Sequence, residues 1–165
     1  MKRKIDMPAN PNATSSGYIL DRPANTIRFE RDFDGSPDQS FQAWTRPEHV
    51  TQWWDATGKP LLRCDIDLRV GGKFAFVAQD HPEMPFAGVY REIVPGERLI
   101  FDAIGAIGRV TWEKRGPGTH MVVEIACASA EQMEQFVQAG VHAGTSTTLD
   151  NLVRHLGKNE AALSA

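Results

Sequence analysis

The sequence predicts an α+β domain: a curved antiparallel sheet of six to seven strands wraps around one long C-terminal helix, with two short helices after the first strand. Three observations carry this. Segments of period-two alternation follow one another from Leu61 to Ala126, joined by short turns, and short turns imply antiparallel pairing because parallel pairs need long crossovers. Two helix-start signatures sit close together after the first alternating segment. The chain then ends in a segment whose apolar residues recur at steps of three and four, the mark of a helix with one apolar stripe.

Residues 1–25 are rich in Pro, Asn, Ser and Thr and read as a flexible extension. Its apolar island, Tyr18-Ile19-Leu20, is suited to docking as a partial strand. The domain is expected over 26–157, with a tail at 158–165. Thr26 to Phe33 alternates apolar and polar residues, as a half-buried strand does. Ser36-Pro37-Asp38-Gln39 then combines a capping serine, a proline suited to the first helical turn and a glutamine that completes a capping box. That short helix should run to about Trp44. Thr45-Arg46-Pro47-Glu48 repeats the pattern and starts a second through His49, Val50 and Trp53.

From Leu61 the period is two. Leu62, Cys64, Ile66 and Leu68 share one face, and Arg63, Asp65, Asp67 and Arg69 the other. Gly71-Gly72 turns the chain into Lys73 to Ala78; the missing GxGxxG spacing and following helix make this a hairpin turn rather than a phosphate loop. Phe86 to Ile93 and Glu97 to Phe101 follow, then Arg109 to Lys114 and His120 to Ala126. The last stripe includes Met133, Phe136, Val137, Gly140, Val141, Gly144, Leu149, Leu152 and Leu156 on one helix from about Ala130 to Leu156, with Gly157 as its expected C-cap. Such a helix buries its stripe by lying across the concave face of the sheet.

Bulk properties exclude several functions. A net charge of −3 offers no basic field for nucleic acid or an anionic membrane. No stretch approaches the ~18 apolar residues of a membrane span, and the basic start Met1-Lys2-Arg3-Lys4 is not followed by a signal-peptide core. A cytoplasmic location is the expectation. Cys64 and Cys127 lack metal-ligand spacing and read as two buried thiols, their separation being decided by the fold. No metal site and no cofactor are expected.

The order strand, two helices, meander, long helix resembles the START-like (SRPBCC) superfamily and its helix-grip fold. Within it, specific segments resemble the heat shock protein 90 ATPase activator homologue family. They are Phe41 to His49, Trp53-Trp54, Asp65 to Phe74, Phe86 to Ile93 and Pro95 to Phe101. The resemblance implies a pocket between sheet and helix for a small hydrophobic or amphipathic ligand, the common theme of lipid carriers, sensors, cyclases and sequestering proteins. This sequence has Ala139-Gly140-Val141-His142-Ala143-Gly144 where the family's final helix often carries tryptophans, which implies a roomier pocket. Residues 1–25 are too short to supply the chaperone-engaging domain of the co-chaperone members, so a chaperone partner is an alternative only; a homodimer is compatible with the sequence.

Trp53, Trp54, Phe74, Phe76, Phe101, Trp112, Phe136, Gly140 and Gly144 are the candidate ligand-binding residues. The tryptophans either plug one end of the sheet or line the pocket mouth, and neighbours on a helix cannot both face inward. Gly140 and Gly144 each cost roughly 1 kcal/mol against Ala in a helix; either close approach to the sheet or room for a ligand offsets this. His142, with Ser146 and Asp150 at successive i+4 steps, forms either a polar face or a general base with its orienting partners, the one catalytic candidate for a cyclase or hydrolase alternative. His49 and His81 read as loop or surface residues, and Asp65, Asp67 and Arg69 as solvated.

Overall fold

The computed structural model describes residues 17–164, with side chains through residue 157. In chain order the elements are β1 (Ile19–Asp21), β2 (Thr26–Asp34), α1 (Pro37–Thr45), α2 (Pro47–Trp53), β3 (Arg63–Ile66), β4 (Lys73–Val77), β5 (Phe86–Val94), β6 (Arg98–Ala103), β7 (Ala106–Arg115), β8 (Gly118–Ala126), α3 (Ala130–Gln138) and α4 (Val141–Ser164). The sheet order is β1-β2-β8-β7-β6-β5-β4-β3, every neighbouring pair antiparallel. This is the α+β helix-grip architecture. The eighth strand, beyond the six to seven expected, is the apolar island: Ile19 to Asp21 pair with Thr26 to Arg28. Residues 1–16 of the expected extension lie outside the described residues.

Alternation decides what the sheet buries. Ile27, Phe29 and Phe33 of β2, Leu99 of β6, Val110 and Trp112 of β7, and Met121 and Val123 of β8 face inward and are buried. Register carries that face across the sheet, pairing Phe29 with Val123 and Leu99 with Val110. The outer face carries ions, such as Arg28 Nη1 to Glu124 Oε2 at 2.8 Å. Against the inner face α4 lays Leu149, Leu152 and Leu156, all buried, each contributing about 2 kcal/mol by removal from water.

Helix α1 starts as its sequence dictates. Ser36 Oγ accepts from Gln39 N, and Ser36 N donates to Gln39 Oε1. The second start does not repeat this chemistry. Arg46 is the N-cap of α2 without a side-chain cap bond; Thr45 is buried and its hydroxyl donates back to Phe41 O at 2.8 Å. Trp112 Nε1 donates to Ser40 Oγ at 2.7 Å, seating α1 on β7. His49 is not a loose surface residue: it is half-buried in α2, with Nδ1 2.9 Å from His155 Nε2 of α4.

Three expectations about the extent of elements fail. The single helix from Ala130 to Leu156 is two helices, and Gly157 does not end the second, which runs on to Ser164. The break is at Gly140, whose φ of +79° is a left-handed conformation that glycine adopts without a Cβ penalty. Leu62 and Leu68 are exposed rather than inward, because β3 spans only Arg63–Ile66. Asp65, Asp67 and Arg69 are exposed as expected.

Candidate ligand-binding site

Between α2, α4 and the inner face of the sheet lies a cavity of about 320 Å³. Its floor is the inward row of four strands: Phe86 of β5, Phe101 and Ala103 of β6, Ala106 and Gly108 of β7, and Val123 and Ile125 of β8. Trp44, Trp53 and Trp54 wall one side, and Val141, Gly144, Thr145, Thr148 and Leu149 of α4 the other. Ala56 and Ile104 complete the lining. The charged residue among them, Glu124, is engaged through its carboxylate by Arg28.

Small residues make the room. A Cβ built on Gly144 would meet nothing within 4 Å, so the helix is not pressed against the sheet there. Open space, not close approach, accounts for this glycine. Gly108 does the opposite. The ring of Phe101 lies over it, 2.5 Å from where a Cβ would stand, so β7 needs glycine for Phe101 to lie flat on the floor.

The tryptophans share the work. Trp53 is buried and donates from Nε1 to Ala43 O at 2.9 Å, bonding α2 to α1. Trp44 meets it edge-on, with ring centroids 5.0 Å apart, and its own Nε1–H is buried without an acceptor. Trp54 contacts Phe76 and Phe86 at 4.9 and 4.8 Å. Neighbouring helix residues were not expected to point inward together; here both reach the lining, Trp53 from the last turn of α2 and Trp54 from its C-cap. The Thr148 hydroxyl donates to Trp54 O, tying this end of α2 to α4.

The structure therefore brings Trp53, Trp54, Phe101 and Gly144 into the lining. Phe74 and Phe76 stand beside it in an aromatic cluster with Phe86 and Tyr90 that leaves a gap of only about 10 Å³. Trp112 belongs to the core under α1, T-shaped to Phe41 at 5.9 Å. Phe136 is half-buried on α3, and Gly140 forms the α3–α4 turn; neither lines the cavity. Burial raises the Tyr90 hydroxyl well above its ordinary range and pushes the Cys64 thiol up to about 11, Asp65 and Glu48 adding to the latter. Both groups are therefore neutral at physiological pH. Cys64 and Cys127 are free thiols.

His142 stands apart from the cavity wall. Its ring packs edge-on against Tyr18 at 4.8 Å and its Nδ1 is buried without a partner. Its supposed relay partners are engaged by Arg31, which donates from Nη2 to Ser146 Oγ and from Nε to Asp150 Oδ1. The line His142, Ser146, Asp150 thus faces the β1–β2 edge. Among the described residues, no group of three or more His, Cys, Asp or Glu is arranged to hold a metal, and no helix is long and apolar enough to cross a membrane. A second hollow of about 520 Å³ is walled by the ends of β2 and β7, including Asp32, Asp34 and Arg115, and by Val153 and Gly157 of α4.

A sheet gripping a C-terminal helix over an apolar cavity defines the START-like class of domain. The sequence profile of the activator of Hsp90 ATPase homolog 1-like proteins matches residues 34–157, and the chain belongs to that family. Solved structures share the fold. A Nitrosomonas europaea protein superposes with a TM-score of 0.74 at 23% identity, covering 82% of this chain and 96% of that one. A Mycobacterium smegmatis protein gives 0.72 at 19%, covering 86% and 97%. The AHSA1-like protein of Aeromonas hydrophila gives 0.65 at 21%, covering 81% and 94%. No curated protein matches the sequence.

Proposed function

We propose that the domain binds a small, uncharged, mostly apolar molecule in the cavity between sheet and α4. The observation that carries this reading is the volume of about 320 Å³ lined by aromatic and aliphatic side chains, with open space at Gly144. Cavities of this size and lining hold small ligands by apolar burial, with a few polar groups setting orientation. The Thr145 hydroxyl is the polar side-chain group of the wall suited to that role, Thr148 being engaged by Trp54 O. An anionic ligand would enter without a counter-charge, and the carboxylate of Glu124 is already engaged by Arg28, so an ionised ligand would enter at a cost of several kcal/mol.

Titration with the neutral fluorophore N-phenyl-1-naphthylamine tests the reading. One saturable site, with a blue-shifted probe and quenched tryptophan emission, is expected. Emission that rises linearly without saturation rejects ligand binding and leaves a role for the outer surface in protein contacts as the better reading.

A further inference from the structure

We propose that Ile104 is the gate of the cavity, held in a strained backbone conformation so that its side chain covers the mouth and touches the bound molecule. The inference rests on the ligand-binding reading above and adds to it the residue that governs retention. Strands β6 and β7 are joined by a two-residue turn between the paired residues Ala103 and Ala106. Both central residues have positive φ, +48° at Ile104 and +77° at Gly105. That sign pattern marks the type I′ hairpin turn, which favours Asn, Asp or Gly at its first central position. A β-branched residue there is a true outlier, because its branched Cβ crowds the backbone.

Core packing does not account for this choice. Ile104 is 51% exposed, so the fold does not need its burial. An asparagine would suit both the backbone and the solvent. What isoleucine adds is apolar surface on the cavity side, where Ile104 is one of the lining residues. Half toward solvent and half toward the cavity is the position of a residue at the rim. Strain of this kind persists where function holds it, and the inference runs from the observed outlier to the role.

The turn that bears it is held in place. Gln132 Nε2 of α3 donates to Gly105 O at 3.0 Å, anchoring the hairpin tip. The turn that carries Ile104 is thus tied to α3. Val141 and Thr145 of α4, the helix that follows the turn at Gly140, are also in the lining. At protein-like packing the cavity holds an uncharged molecule of roughly 15–20 non-hydrogen atoms.

Two variants test the gate, Ile104→Asn and Ile104→Val, each melted without ligand and titrated with N-phenyl-1-naphthylamine, dissociation being followed by stopped flow. Ile104→Asn should melt about 2–6 °C higher than wild type through relief of strain. It should also bind the probe about tenfold more weakly, mainly through faster release. Ile104→Val keeps the branch and the apolar cover, so it should melt within about 1 °C and bind within about threefold of wild type. An Ile104→Asn protein that melts no higher than wild type overturns the strain; one that binds and releases the probe as wild type does overturns the gate while leaving ligand binding intact. Absence of saturable binding by wild type itself overturns the ligand-binding reading and the gate with it.

Discussion

Arg31 lies on the inner face of β2, among residues that are otherwise apolar, and its side chain is only 12% exposed. It donates from Nη1 to Gly17 O at 2.8 Å and Glu30 O at 2.9 Å, from Nη2 to Ser146 O at 3.2 Å and Oγ at 2.9 Å, and from Nε to Asp150 Oδ1 at 3.0 Å. One guanidinium therefore ties the segment before β1, strand β2 and helix α4 together. Arg31→Met retains a long apolar stem and removes every one of these bonds. Hydrogen bonds from a charged donor contribute about 1.5 kcal/mol each when sheltered. The Asp150 pair adds less than about 1 kcal/mol because that carboxylate is exposed. Counting Gly17 O and the two Ser146 oxygens, and allowing water to reach some of them, the loss should be about 2–4 kcal/mol. For a chain of this size that lowers Tm by about 5–15 °C. Urea unfolding followed by tryptophan emission, with an unchanged m-value, measures it. A loss below about 0.5 kcal/mol would refute the clasp. So would an equal loss in Asp150→Asn, which would put the energy in the ion pair instead of the sheltered oxygens.

Leu152 is fully buried on α4 and does not line the cavity; Leu152→Ala should cost about 2–5 kcal/mol in urea unfolding and leave probe affinity within about threefold of wild type. Trp53→Phe and Trp44→Phe should differ although both rings are buried. The first strands Ala43 O and should cost about 2–3 kcal/mol, whereas the second removes a donor that has no acceptor and should cost less than about 1 kcal/mol. Equal costs in thermal melts would contradict that distinction. Stability should also fall in alkali. Folding raises the Cys64 thiol to about 11, so the unfolded chain loses this proton first and the contribution, complete below the ordinary thiol value of 9.0, is lost as pH rises towards 11. Cys64→Val should move the onset of alkaline unfolding to higher pH; an unmoved onset would assign the loss elsewhere.

Much of this fold was legible because its signals are short-range. The capping box at Ser36 and Gln39 involves only neighbours, and the structure contains it whole. Alternation in Thr26 to Phe33 gave the inner face of β2 because pleating leaves no other choice. The break at Gly140 was hidden because apolar steps of three and four run through it, and only the sign of φ reveals the turn. Leu62 and Leu68 extended the alternation past the ends of β3, whose register with β4 runs only from Arg63 to Ile66, and the length of that pairing is set by both strands. Four residues of the cavity lining, Trp53, Trp54, Phe101 and Gly144, were readable from side-chain size and emptiness. Trp112 has the same character, but its indole finds Ser40 on α1, so it packs into the core instead. Phe86, Val123 and Ile125 were missed although strand register points to them. The signal for Ile104 was its position before Gly105, where a tight hairpin asks for asparagine.

Ligand binding in the cavity is tested most directly by filling it. Gly144 sits in α4 with no atom within 4 Å of a built Cβ, so Gly144→Leu projects a branched side chain into open space between Leu149 and the tryptophans. Helix propensity alone favours the change by up to about 1 kcal/mol. Calorimetric or fluorimetric titration with N-phenyl-1-naphthylamine should therefore show one site in wild type and at least about fifty-fold weaker binding in Gly144→Leu, with a Tm equal to or above that of wild type. Equal affinity in the two proteins, with the variant folded, would place the probe elsewhere and contradict the cavity as the binding site.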